Sequence, residues 1–120
     1  MDPVALTIGL GWICLGLVSM GLAVPLLRGS IQRNALYGVR FSQAFQSDEA
    51  WLEINRYGAR LTIWWSLPLV VGGILALFLP LQSHPGAALL LGFATLAFVL
   101  IPCLQAWLFA RRYRRGESIP

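Results

Sequence analysis

Residues 28 to 60 read RGSIQRNALYGVRFSQAFQSDEAWLEINRYGAR and hold five of the nine arginines and three of the five acids in the chain. On the N-terminal side, residues 3 to 27 (PVALTIGLGWICLGLVSMGLAVPLL) carry no charge in 25 positions. On the C-terminal side, residues 61 to 81 (LTIWWSLPLVVGGILALFLPL) carry none in 21, and a third uncharged run of 25 occupies residues 86 to 110. About 20 apolar residues at about 1.5 Å rise suffice to cross about 30 Å of hydrocarbon as a helix. The sequence therefore predicts an all-α membrane protein, read as one domain over residues 1 to 120. Its three transmembrane helices lie at about 4–27, 61–81 and 86–110, with a polar motif loop at 28–60.

The composition agrees: 58% of side chains are hydrophobic and 12% charged, against about 25% charged in soluble domains. The basic residues are all arginine, and the formal net charge is +4. Since that charge flanks apolar spans, anionic lipid headgroups are the expected partner and nucleic acid is not. Cytoplasmic loops collect Arg and Lys. Arg28, Arg33, Arg40, Arg56 and Arg60 precede the second span and Arg111, Arg112, Arg114 and Arg115 follow the third, while residues 1 to 3 and 82 to 85 contain none. This partition predicts an N-terminus outside, with the motif loop and C-terminus in the cytoplasm. The tail RRYRRGESIP reads as a stop-transfer anchor. The opening Met1-Asp2-Pro3 lacks the basic start of a signal peptide, so the first span is expected to be retained.

Inside the spans, Ala5, Gly9, Trp12, Gly16, Ser19 and Ala23 recur at steps of four and three, a stripe of mostly small residues that admits another helix closely. Gly72 and Ala76 repeat the pattern in the second span, and either face is a route to a homo-oligomer. Pro68 is expected to kink its helix, and Trp64 and Trp65 to lie in an interfacial belt. His84, alone in its turn, reads as an ordinary turn residue. Cys14 and Cys103 differ in depth by about 10 Å at helical rise, too far for a disulfide, and are expected to be free thiols. No Cys-x-x-Cys pair, phosphate-cradling Gly-rich loop or Ser/His/Asp set is present. No catalytic residue, metal or cofactor is expected.

Residues 48 to 60 read as a helix leading into the second span, with Ser47 as N-cap and Asp48 and Glu49 in its first turn. At about 100° per residue, Trp51, Ile54, Asn55, Gly58 and Leu61 share one face, predicted buried. Glu49, Glu53, Arg56 and Arg60 share the other, predicted to be a solvated ion-pair ladder. Upstream, Asn34 and Tyr37-Gly38 form a turn signal, with Gly38 supplying positive φ and Arg40 just beyond.

Taken together, N-x-x-Y-G-x-R at 34 to 40, Ser47, and W-x-x-x-N-R-x-G at 51 to 58 resemble the membrane domain of the SdpI family. The resemblance covers about residues 22 to 75, including Pro25 before Arg28; Ser42 stands where the family often has Thr. It implies a bacterial inner-membrane protein of a family named for immunity against a secreted peptide toxin, with sequestration of a transcriptional repressor also associated with it. A peptide toxin or a regulator protein is thus the implied partner. Asn34, Tyr37, Arg40, Trp51, Asn55 and Arg56 become the expected ligand-binding residues, and Gly38, Gly58 and Pro25 the structural positions of the motif. The leading expectation is a non-enzymatic binding protein in which Arg40 and Arg56 face an anionic group and Tyr37 and Trp51 wall the site. The alternatives are an enzyme or transporter-like protein acting on a lipid phosphate, with Glu53 or Asp48 as general base, and a structural subunit of a membrane complex.

Overall fold

Pro3 can open a helix because a first-turn residue needs no N–H, and the carboxylate of Asp2 accepts from the amides of Val4 and Ala5 at 2.9 and 3.0 Å. The helix that follows, α1 (Pro3–Arg28), ends at Gly29, whose φ of 73° places it in the left-handed region. There the amide of Ser30 donates to Pro25 O and that of Gly29 to Leu26 O, a Schellman closure at 3.1 and 3.2 Å. This computed structural model describes residues 1–34 and 37–114, with side chains as far as Arg111. The anchor reading of the tail beyond Arg111 lies outside the described side chains. Among the described residues all regular structure is helical.

The second helix, α2 (Asp48–Ala76), starts at Ser47, whose hydroxyl accepts from the amide of Ala50 at 3.0 Å, as its N-cap position predicts. The helix carries the motif's charged turns and the second span as one rod and passes through Pro68 without a break. It stops at Ala76, not at 81. Pro80 has no N–H for the carbonyl of Ala76 and disfavours the helical conformation at Leu79. The amides of Phe78 and Leu79 accordingly turn back three residues, to Leu75 O and Ala76 O, both at 3.1 Å. After a 3-10 turn at Leu81–Ser83, Pro85 opens the third helix, α3 (Pro85–Arg114), which runs past the predicted end at 110. His84 is the turn residue expected, its Nδ1 3.0 Å from Pro80 O.

The small-residue stripe is where α1 meets α2. Ala5, Gly9, Trp12, Gly16 and Ala23 are buried, and Ser19 is half-buried. A Cβ added to Gly9 would lie 2.8 Å from Gly73 O, one on Gly73 2.7 Å from Gly9 O, and one on Gly16 3.0 Å from Ser66 O. The two backbones touch, which only glycine at these positions permits. The stripe is thus taken up within the chain. The ring of Trp12 covers Gly72, where an added Cβ would lie 3.0 Å from it.

α3 is attached differently, through two tryptophan N–H groups that find oxygen acceptors inside the apolar layer. Trp12 Nε1 donates to Thr95 Oγ1 at 2.7 Å and Trp65 Nε1 to Gln105 Oε1 at 2.9 Å. Phe98 meets both indoles edge-on, with centroids 5.6 and 5.7 Å away, and Tyr57 stacks on Phe109 at 4.0 Å. Trp65 therefore faces the bundle. Adjacent helical residues point about 100° apart, so while Trp64 lies 70% exposed on the outer face, Trp65 turns inward. Cys14 and Cys103 are free and exposed.

All three helices are long and apolar enough to cross a membrane. The longest dimension, 53 Å, exceeds the about 30 Å of hydrocarbon. The second oxygen of Asp2 accepts from the amide of Gln82 at 2.7 Å, tying the chain start to the turn between α2 and α3. That amide, with those of Ala5 and Val4, holds the Asp2 carboxyl below the usual carboxylate range.

Candidate functional site

The connection from α1 returns over the first turns of α2, on the face predicted to be buried: Trp51, Ile54, Asn55 and Gly58 are all inside, and Leu61 is half-buried. Asn55, 1% exposed, acts as a clamp. Its Oδ1 accepts from the amide of Val39, while its Nδ2 donates to Val39 O at 3.3 Å and to Trp51 O at 3.0 Å. One amide side chain so pairs with both backbone groups of a loop residue, as a neighbouring strand would. Trp51, equally buried, donates from Nε1 to Ile31 O at 2.9 Å and packs its ring 5.5 Å from that of Phe45. Tyr37 reaches the other way, its hydroxyl donating to Leu22 O on α1. Asn34 Oδ1 accepts from the Tyr37 amide at 2.6 Å and its Nδ2 donates to Gln32 O at 2.8 Å.

Gly38 sits at the centre of these contacts with φ 110°, the positive value its turn predicts. A Cβ there would lie 2.6 Å from Asn55 Oδ1, 3.2 Å from the Trp51 ring and 3.3 Å from Leu26. Gly58 makes room for Val39, 2.8 Å from where its Cβ would stand. Pro25 contributes a carbonyl, which accepts from both the amide and the hydroxyl of Ser30 at 3.1 and 3.0 Å. The motif is a closed set of contacts that fold the loop onto α1 and α2.

The two arginines expected to act together have different surroundings. Arg56 packs over the end of α1, where a Cβ on Gly29 would be 2.6 Å from its Nη2; a cation is favourable at that helix terminus. Arg40 instead lines a cleft that Arg56 does not border. The predicted ladder of Glu49, Glu53, Arg56 and Arg60 is not formed. The ion pair observed among the described residues is Arg33 with Asp48, at 3.3 Å. Arg33 is held there by a second bond, from Nη1 to Phe45 O at 3.0 Å, and the exposure of the pair leaves it worth about 1 kcal/mol or less.

The cleft has a volume of about 830 Å³ and opens between α1 and α3, with α2 as its floor. Its loop end is formed by Gly38 to Phe41 and Phe45. Leu15 and Ser19 line it from α1, Thr62, Trp65, Ser66 and Leu69 from α2, and Phe98, Val99, Pro102 and Cys103 among others from α3. The hydroxyls of Thr62 and Ser66 are turned to their own helix, donating to Gly58 O and Thr62 O at 2.8 and 2.6 Å, so the walls present mostly carbon. Of the nine residues that the motif marked as binding or structural, Gly38, Arg40 and Gly58 border this space and the other six do not. The α3 wall was not legible beforehand, though Gln105 was a usable signal. A lone amide in an apolar run must find a partner, and the bond it accepts from Trp65 brings that wall into place.

Three apolar helices, a loop folded onto two of them and a cleft lined by all three define a multi-pass membrane protein. A family model, the SdpI/YfhL protein family, matches residues 30–104. Since that covers well over half of the chain, the protein belongs to the SdpI/YfhL family. No curated protein and no solved structure matches it.

Proposed function

We propose that this protein is a non-enzymatic member of its family that binds an anionic, amphipathic ligand in the cleft beneath the motif loop, in an immunity or signalling role at the bacterial inner membrane. The observation that carries this is Arg40 at the rim of a cavity whose walls are mostly carbon, the combination that suits a ligand with one charged end. The charge partition of the chain supports an orientation with the N-terminus outside and the loop in the cytoplasm. The acids among the described residues do not line the cleft, and Asp48 is already engaged by Arg33, which favours binding over general-base chemistry. Asn34, Tyr37, Trp51 and Asn55 serve the ligand indirectly, by holding the loop that carries Arg40.

Cells challenged with a membrane-active peptide test the role. Arg40→Ala is expected to abolish protection, since a charge-assisted contact contributes about 1.5–3 kcal/mol. Arg56→Ala, outside the cleft lining, should weaken it less, and Glu53→Gln should leave it largely intact. Loss of protection in Glu53→Gln at normal expression, with purified protein converting a lipid phosphate, would establish the enzymatic reading instead. Orientation is checked separately by labelling single cysteines with an impermeant reagent. A cysteine at Ser83 should react from outside and one at Ser42 only from the cytoplasm; the opposite result reverses the topology.

A further inference from the structure

The depth of the cleft identifies its occupant more closely than its charge does. On α2 the lining runs from Gly58 to Leu69, eleven helical steps or about 16 Å of helix, close to half of the about 30 Å hydrocarbon layer. It begins three residues before the uncharged run that starts at Leu61, so its loop end lies at the boundary of the hydrocarbon and its far end near the bilayer centre. Arg40 is at the boundary end. On the α3 side the rim is formed by Val99, 44% exposed, and by exposed Cys103, so the cavity is open to the surrounding lipid and not only to water.

From this placement we infer that the cleft takes one acyl chain of an anionic phospholipid drawn sideways from the leaflet on the loop side, with the phosphate at Arg40. The inference rests on the binding reading above and names its ligand. A cavity one leaflet deep, open along its side and charged at the headgroup level has the dimensions of a lipid chain in its ordinary position. Its volume, about 830 Å³, is within the about 300–1,000 Å³ usual for ligand cavities. Arginine at a cleft between transmembrane helices suits an anionic head, and the described acids that would oppose one are absent from the lining.

The purified full chain, incubated in detergent with equal phosphatidylglycerol and phosphatidylcholine, should retain about one phosphatidylglycerol by native mass spectrometry, preferred by about tenfold or more as a charge-assisted contact requires. Arg40→Gln should remove the preference, and Val99→Trp, which fills the cleft from its lipid side, should remove retention. The unsubstituted protein supplies a second measurement. In phosphatidylglycerol vesicles, alkylation of Cys103 by a membrane-permeant maleimide should slow relative to that of Cys14, compared with phosphatidylcholine vesicles. Equal retention of the two lipids, undiminished retention by Val99→Trp, or an unchanged Cys103 to Cys14 ratio would each overturn the assignment. Retention of dodecyl phosphate but not of phosphatidylglycerol would make a free amphiphile the occupant. If Arg40→Ala abolishes protection in cells while no lipid is retained, the binding reading stands and the lipid assignment falls. If neither effect is seen, both fall.

Discussion

Gly38→Ala is expected to release the motif loop from α2 and to destabilise the protein by roughly 3 kcal/mol or more, summing the strain of a left-handed backbone with the usual overpacking cost. Two independent effects act at this residue. Its φ of 110° is a conformation that side-chain-bearing residues rarely adopt, and the added Cβ would stand 2.6 Å from Asn55 Oδ1, inside the contact that holds Val39. Relief by movement is blocked on two other sides by the Trp51 ring and Leu26. The measurement is a thermal melt in detergent, together with tryptophan fluorescence, which reports the exposure of Trp51. A melting temperature equal to that of the unsubstituted chain would mean that the loop does not adopt this conformation.

Asn55→Leu, nearly equal in size, should cost about 2–3 kcal/mol, because removing one partner leaves half-buried backbone groups unpaired at about 1–3 kcal/mol each. The groups affected are the Val39 N–H and C=O; the Trp51 carbonyl retains its place in the helical ladder. Asn55→Asp should not rescue the protein. A carboxylate can still accept from the Val39 amide but has no donor for Val39 O or Trp51 O, and it places a charge where Asn55 is 1% exposed. Hydrogen exchange gives the local readout: the Val39 amide should exchange about 30- to 150-fold faster in Asn55→Leu, the same free energy expressed as an opening equilibrium. Unchanged protection of that amide would show that the clamp does not control the loop.

These two residues also mark how far sequence could go at the candidate site. The helical face of Trp51, Ile54, Asn55 and Gly58 was readable from periodicity, and Gly38 from the chemistry of its turn, because both depend only on neighbours within a few positions. That Asn55 needed a partner was readable too, but not that the partner was Val39. Residue type likewise grouped Arg40 with Arg56, whereas the fold sends one to the cleft and the other to the end of α1. A guanidinium on a long stem is equally plausible at either place until the backbone is positioned.

The sequence by itself determined the three apolar helices, the N-cap at Ser47, the small-residue face of α1 and the free thiols, since each follows from uncharged length, local hydrogen-bonding chemistry or helical rise. Tertiary structure alone decided the inward turn of Trp65 towards Gln105 and the contacts of Trp12 with Thr95 and Phe98. It also decided the cleft. Apart from Thr95 and Gln105, α3 from Pro85 to Ala110 is apolar on every side, so its periodicity marks no face that points to a neighbour. In lipid, apolar burial does not drive one helix against another, and the orientation of α3 is left to a few hydrogen bonds and ring contacts made by residues 40 and more positions distant in the chain.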